Sequence, residues 1–263
     1  MRIGISFSGG GARAAAHIGF IKALEEQQIK VAAIAGTSGG AIVGAMYAAG
    51  LSVDQMLQVA AKGRPLKIFK AGLPITGFTR LDYLAELLKA HLKVDTFEDL
   101  SIPLSLVATN LSTGRKAVLN DGALYPAVLA SCAIPLVFKP VEIDGHIYVD
   151  GGIIDNMPVE PLLHQSDLII GMNVMPITSQ SNGQLDNMLE IGMRVFDISV
   201  DNNTKVNYPY CDVVVEAMKA LDYHVFNFAA YQELFEIGYQ STLEQMPKIK
   251  SAIEEKQALL NKL

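Results

Sequence analysis

The sequence predicts an α/β domain, built as three α/β/α layers around a mainly parallel central sheet. Three observations predict it. Within the first fifty residues an apolar strand, a glycine turn and an apolar helix follow one another twice, the alternation expected of parallel strand–helix–strand units. Further apolar runs of strand length recur downstream between helical patterns. The chain has 263 residues, 50% of them hydrophobic, enough for one sizeable core. A single domain over residues 1–263 is therefore expected, with 176–263 as its helical C-terminal part.

Ile3 to Phe7 is a short buried strand pattern, and Gly9 to Gly11 form the turn after it. Ala12 to Gln27 is helical, with Ile18, Ile21 and Leu24 on one face. Val31 to Ala35 is a second strand, Gly36 to Gly40 a second turn, and Ala41 to Ala49 a small-residue helix suited to burial. Leu81 to Leu92 and Ala123 to Cys132 read as helices, and Leu104 to Thr109 and Lys116 to Leu119 as strands. Val137 to Ile143 and His146 to Val149 form a hairpin across Asp144-Gly145. Leu168 to Val174 and Val213 to Val215 complete the strands. From Phe226 the pattern is helical, with a break or helix start expected at Pro247. Ser179 to Gly183 is polar, as a loop would be.

The formal net charge of -6 argues against nucleic acid as the main partner. Cys132 and Cys211 read as reduced residues of the interior. No run approaches the roughly 18 apolar residues of a membrane span, and Ala14 to Phe20, interrupted by His17, makes a poor signal peptide. A cytoplasmic location is expected. No histidine pair has metal-ligand spacing, so neither metal nor other cofactor is expected.

Gly36-Thr37-Ser38-Gly39-Gly40 fits G-x-S-x-G between an apolar strand and an apolar helix. That context suits a sharp turn which presents the Ser38 hydroxyl at its apex, with the positive end of the next helix beside it. Ser8-Gly9-Gly10-Gly11-Ala12-Arg13 occupies the equivalent place after the first strand. Adjacent glycines let N–H groups converge on an anion, either an oxyanion or a phosphate. Gly9, Gly11 and Ala14 also satisfy a loose dinucleotide fingerprint, whereas no Gly-Lys-Ser/Thr follows as a P-loop requires. Asp150-Gly151-Gly152 ends a strand, as a cleft carboxylate or an ordinary turn aspartate would.

In combination these segments resemble the patatin-like phospholipases. The resemblance extends to Ala130-Ser131-Cys132-Ala133-Ile134-Pro135, Phe138-Lys139-Pro140-Val141 and Asp155-Asn156-Met157-Pro158-Val159, and covers roughly residues 2–175. It implies a patatin-like fold and a serine acyl hydrolase of phospholipids, lysophospholipids or simpler acyl esters. Ser38 would be the nucleophile and Asp150 the general base of a dyad without histidine. Gly10 and Gly11 would supply oxyanion-hole amides, Gly9 would shape that loop, and Arg13 would orient it or add positive charge. Gly36, Thr37, Gly39 and Gly40 would form the nucleophile elbow. The sequence departs from the family at Ala14, where many members have glycine, and at Gly152, where alanine is common. Both changes exchange one small residue for another.

A dyad suits the chemistry, because a carboxylate of ordinary pKa near ~4 becomes an effective base when burial raises it. The alternatives are a regulatory or scaffold protein that retains the fold without turnover, and a nucleotide-binding protein using Gly9 to Gly11. The intact Ser38 and Asp150 count against the first, and the strand ending at Gly36-Thr37-Ser38 against the second. Among the histidines His17 lies nearest the glycine loop, and packing on the first helix is its expected role. Lys62, Arg64, Lys67 and Lys70 surround Leu66, Ile68 and Phe69, a composition suited to a lid, a peripheral membrane contact or a solvated loop. Met46, Met56, Met157 and Met172 would line an adaptable lipid pocket or fill the core.

Overall fold

A computed structural model of the protein describes residues 1–63, 81–176 and 188–262. The basic stretch from Arg64 to Lys70 and the polar loop Ser179 to Gly183 lie outside them.

The strands are β1 (Ile3–Phe7), β2 (Val31–Thr37), β3 (Leu104–Asn110), β4 (Arg115–Leu119), β5 (Val141–Ile143), β6 (His146–Asp150), β7 (Leu168–Asn173) and β8 (Val213–Glu216). They form one sheet in the order β5-β6-β3-β2-β1-β7-β8, with β4 also paired to β3. Its centre is parallel, through β3-β2-β1-β7-β8. The β4 and β6 pairings to β3, and β5 to β6, are antiparallel. The hairpin turn is as expected: Asp144 and Gly145 both have positive φ, 51° and 76°, which matches the twist of the flanking strands. β5 begins at Val141 rather than Val137, since Pro140 has no N–H to give a strand partner.

The helices are α1 (Ala15–Glu26), α2 (Gly39–Ala48), α3 (Val53–Lys62), α4 (Asp82–Leu92), α5 (Leu124–Ser131), α6 (Met188–Val206) and α7 (Tyr231–Leu260). Before α1 the chain makes a 3-10 turn over Gly11–Ala14. Ile3, Ile5, Phe7, Ile34, Leu106, Ile170 and Met172 meet residues of α1, α2, α3, α5 and α7 in one continuous core. Each large apolar side chain buried there contributes about 1.5–3 kcal/mol. α1 and α7 cross closely: a Cβ on Gly19 would stand 2.0 Å from the Phe235 carbonyl oxygen, and one on Gly238 1.9 Å from that of Ala16. On the opposite face Ala33, Ala35 and Ile169 lie under Val159 and Leu162. The two outer layers are thus unequal, thick on the side of α1 and α7 and thin on the other.

Met46, Met56, Met157 and Met172 are all buried in the interior, and none lines the cavities at Ser38 described below. Cys132 is buried, Cys211 is half-buried, and both are free thiols. Pro247 neither breaks nor starts a helix, because α7 runs through it. The ring lies on the exposed side of the helix, where the carbonyl that loses its amide partner can be hydrated. Helical structure also begins later than Phe226, at a 3-10 turn over Phe228–Ala230 that leads into α7. Among the described residues no helix is long and apolar enough to cross a membrane.

Candidate active site

The turn after β2 is tighter than the sequence suggests. The strand runs through Thr37 and α2 begins at Gly39, so Ser38 alone joins them, with φ 53° and ψ -122°. Positive φ is costly for a residue with a Cβ and persists only where surrounding contacts hold it. Here the Ser38 N–H donates to Ser131 Oγ at 2.9 Å. Its carbonyl accepts from the Ile42 N–H at 3.2 Å and from Cys132 Sγ at 3.2 Å. Thr37 Oγ1 donates to the Asp155 carbonyl at 2.8 Å. The first amides of α2 have no side-chain cap, so the positive end of the helix is directed at Ser38.

The glycine loop lies beside this turn because β1 and β2 are parallel neighbours, with Phe7 opposite Gly36. The Gly9 N–H is already committed, donating to the Asn156 carbonyl at 3.0 Å. Among the described residues the Gly10 and Gly11 N–H groups donate no hydrogen bond. Gly11 has φ +56°, and a Cβ there would stand 2.3 Å from the Val225 carbonyl oxygen, so the position requires glycine. Arg13 is turned away from the loop's open amides. Its Nε donates to the Tyr223 carbonyl at 2.8 Å and its Nη2 to that of Leu221 at 3.4 Å, which ties the loop to the segment before α7. Gly39 packs against the same loop: a Cβ there would meet the Ala14 Cβ at 2.6 Å and the Gly11 carbonyl oxygen at 2.8 Å. The larger residue at Ala14 is thus matched by a bare Gly39.

Asp150 ends β6 opposite Ala108 of β3, and its carbonyl accepts from Thr109 Oγ1 at 2.9 Å. Its side chain is 1% exposed. Oδ1 accepts the Gly152 N–H at 2.7 Å, while Oδ2 makes no hydrogen bond of full geometry. Burial pushes the carboxyl up from 3.8 to about 7, against the opposing pull of the Ser38 hydroxyl and the Gly152 amide. The Ser38 hydroxyl is therefore close enough to act on Asp150 electrically without closing a full hydrogen bond to Oδ2. Loose contacts of this kind are usual in sites without substrate. Gly151 lets the strand turn here, since a Cβ would stand 2.2 Å from the Val107 carbonyl oxygen.

Two cavities meet at Ser38, Gly11 and Ile134. The larger, about 670 Å³ and partly open, is walled by Ile42, Leu84, Leu87, Phe138, Phe226 and Phe228. The smaller, about 360 Å³, is walled by Asp150, Asn156, Phe196, Asp197, Val200 and Val225. Burial raises the Asp197 carboxyl, and the nearby Arg13, Arg194 and His224 oppose that rise.

Ser38, Gly10, Gly11, Gly39 and Asp150 thus line the two adjoining cavities, with Gly9 in the loop behind them, Gly36 and Thr37 at the end of β2 and Gly40 in the first turn of α2. His17 does not join them. It is fully buried on α1, Nε2 lies 2.8 Å from the Ser8 carbonyl oxygen, and its ring is 4.7 Å from that of Phe7. Burial lowers its pKa to about 4, which keeps it neutral. Ser131, Asn156, Phe196, Asp197 and Val200 also stand at the site, outside its glycine motifs. The last three stand on α6, whose apolar spacing was the one available signal.

The family model described as patatin-like phospholipase matches residues 5–163. An NTE family protein of Mycobacterium tuberculosis is 34% identical over 177 residues, 66% of this chain and 49% of the relative. Lysophospholipase nte1 of Emericella nidulans is 29% identical over 282 residues, 95% of this chain and 18% of that protein. The chain thus spans about half the length of the mycobacterial relative and less of the fungal one. Among solved structures, VipD from Legionella pneumophila aligns over 99% of this chain and 75% of its own, with a TM-score of 0.48 and 14% identity. With the family model covering more than half of the sequence, from β1 to beyond Asp150, the chain belongs to the patatin-like phospholipase family.

Proposed function

We propose that this protein is a serine acyl hydrolase of lipid esters, working as a single domain with Ser38 as nucleophile and Asp150 as general base. One observation carries the reading: a buried carboxyl brought to about pH 7 stands beside a serine on a positive-φ turn. A base with that pKa is half ionised at neutral pH and accepts a proton readily. As Ser38 Oγ attacks the ester carbonyl carbon, its proton passes to Asp150 Oδ2. The carbonyl oxygen becomes an oxyanion, which the Gly10 and Gly11 N–H groups and the α2 N-terminus stabilise. Gly9 shapes that loop and Arg13 anchors it. Collapse of the intermediate breaks the ester C–O bond, and the leaving alcohol takes the proton from Asp150. Water then gives a proton to Asp150 and attacks the acyl-enzyme carbonyl; the Ser38 Oγ–acyl bond breaks, the carboxylic acid leaves, and Asp150 returns the proton to Ser38 Oγ.

The larger cavity, almost wholly apolar, suits the acyl chain. The fungal relative's name, lysophospholipase, puts lysophospholipids first among candidate substrates. Peripheral contact with a lipid surface from the cytoplasmic side belongs to the same proposal, since such substrates reside in membranes. The test is labelling by a fluorophosphonate, with peptide mapping, of wild type, Ser38→Ala and Asp150→Asn. Labelling at Ser38, lost in the first variant and slowed in the second, is expected. Folded wild type that takes no label would replace this proposal with a non-catalytic role for the fold.

A further inference from the structure

Neither glycine motif contains the groups that hold Ser38 and Asp150 in relation to each other. Three consecutive residues at the end of α5 touch both. Ser131 Oγ accepts the Ser38 N–H at 2.9 Å, Cys132 Sγ donates to the Ser38 carbonyl at 3.2 Å, and the Ala133 carbonyl accepts the Asp150 N–H at 2.9 Å. All three are buried. Ser131 also donates its hydroxyl proton to the Val107 carbonyl at 2.6 Å. Val107 lies on β3 opposite Thr37, one residue before Ser38.

The geometry points to Ser131 as a positioning residue for the proposed reaction: its hydroxyl fixes the Ser38 peptide, and the turn 131–133 sets the nucleophile against Asp150. The inference rests on the function proposed above. The Ser38 N–H falls between strand and helix, so neither element supplies an acceptor. A serine hydroxyl has one proton, and Ser131 spends it on Val107. Its lone pairs therefore face Ser38. The Ser38 carbonyl, by contrast, has a second donor in the Ile42 amide, so the Cys132 thiol is replaceable there. Removing the Ser131 hydroxyl leaves a buried donor unsatisfied on a residue already at φ 53°. The cheapest relief is rotation of the 37–38 peptide, which carries Ser38 Oγ away from Asp150 and from the Gly10 and Gly11 amides.

The test compares Ser131→Ala and Ser131→Thr with Thr242→Ala, using p-nitrophenyl butyrate. Thr242 is an equally buried hydroxyl on α7, bonded to the Gly238 carbonyl at 2.7 Å. Ser131→Ala should lower kcat about 10- to 100-fold with KM changed less than about threefold, the signature of a misplaced nucleophile. Ser131→Thr, which keeps the oxygen, should recover most of kcat, and Thr242→Ala should lower stability and leave kcat within about twofold. Independently of turnover, amide hydrogen exchange at Ser38 should be faster in Ser131→Ala than in wild type. The proposal is overturned if Ser131→Ala keeps kcat within about threefold of wild type, if Ser131→Thr is as slow as Ser131→Ala, or if exchange at Ser38 is unchanged. Should Ser131→Ala not fold, Ser131→Cys, close in volume and a weak acceptor, carries the same expectations. Wild type that neither turns over nor labels would defeat the hydrolase reading, while the exchange measurement would still decide the role of Ser131.

Discussion

Replacing Asp150 with asparagine should abolish turnover and, at pH 8, make the folded protein more stable. The carboxyl titrates at 3.8 in an unfolded chain and at about 7 when buried beside Ser38. Below the first value both states hold the proton and the residue adds no cost. As pH rises from there, the unfolded chain gives up its proton while the folded one keeps it, so stability is lost progressively until the folded carboxyl ionises near 7. At about 1.4 kcal/mol for each pH unit, the gap from 3.8 to about 7 amounts to about 4 kcal/mol of cost at pH 8, and about 1–2 kcal/mol at pH 5. Asparagine has nearly the same shape. Its oxygen can keep the Gly152 amide bond, and its NH₂ stands where Oδ2 has no full hydrogen bond, with Ser38 Oγ as the nearby acceptor. Urea unfolding of both proteins from pH 5 to pH 8 measures the difference, in which other titrations cancel, including that of the buried His17. A stability gain that grows with pH, with loss of kcat, is expected of a base held in an unfavourable environment for its task. A variant equally destabilised at pH 5 and pH 8 would refute the reasoning. In wild type, the same titration should lower kcat/KM about tenfold for each pH unit below about 7.

Two further outcomes follow from the site's geometry. Gly11→Ala places a Cβ at φ +56° and 2.3 Å from the Val225 carbonyl oxygen. It should cost about 2 kcal/mol or more of stability and about 100-fold in kcat, read by urea unfolding and ester hydrolysis; near-wild-type turnover would remove Gly11 from the oxyanion site. Leu87→Trp narrows the apolar cavity from the α4 side. It should lower the ratio of kcat/KM for dodecanoyl over butanoyl p-nitrophenyl esters about tenfold, and an unchanged ratio would move the acyl chain out of this cavity.

What could be read from the chain alone was whatever a short stretch of backbone encodes. β1 and the positive-φ turn at Asp144-Gly145 are local matters of apolar pattern and glycine chemistry, and they appear where the residues place them. The glycine turn after β1 is likewise where the residues place it, whereas the turn expected over Gly36 to Gly40 shrinks to Ser38, because β2 runs through Thr37 and α2 starts at Gly39. α3 too carries a local signal: Ser52 and Gln55 form a capping box in which each side chain accepts the other's backbone N–H. Pro247 misled because its local rule was outweighed by packing, as α7 keeps Met246 and Ile249 in the core on either side of it.

The sequence by itself determined which chemical groups are present and in what order: a serine between strand and helix, a run of glycine amides, and an aspartate at a strand end. Only the tertiary structure decided what those groups experience. The acceptor for the Ser38 amide lies 93 residues away at Ser131, and the Arg13 side chain is anchored 210 residues away at Tyr223. Val200, Phe196 and Asp197 reach the Asp150 cavity from α6. The physical reason is that backbone angles and periodicity act over a few residues, whereas desolvation is imposed by whatever packs from outside. The raised carboxyl of Asp150 is a property of that enclosure, which no span of sequence around Asp150 carries.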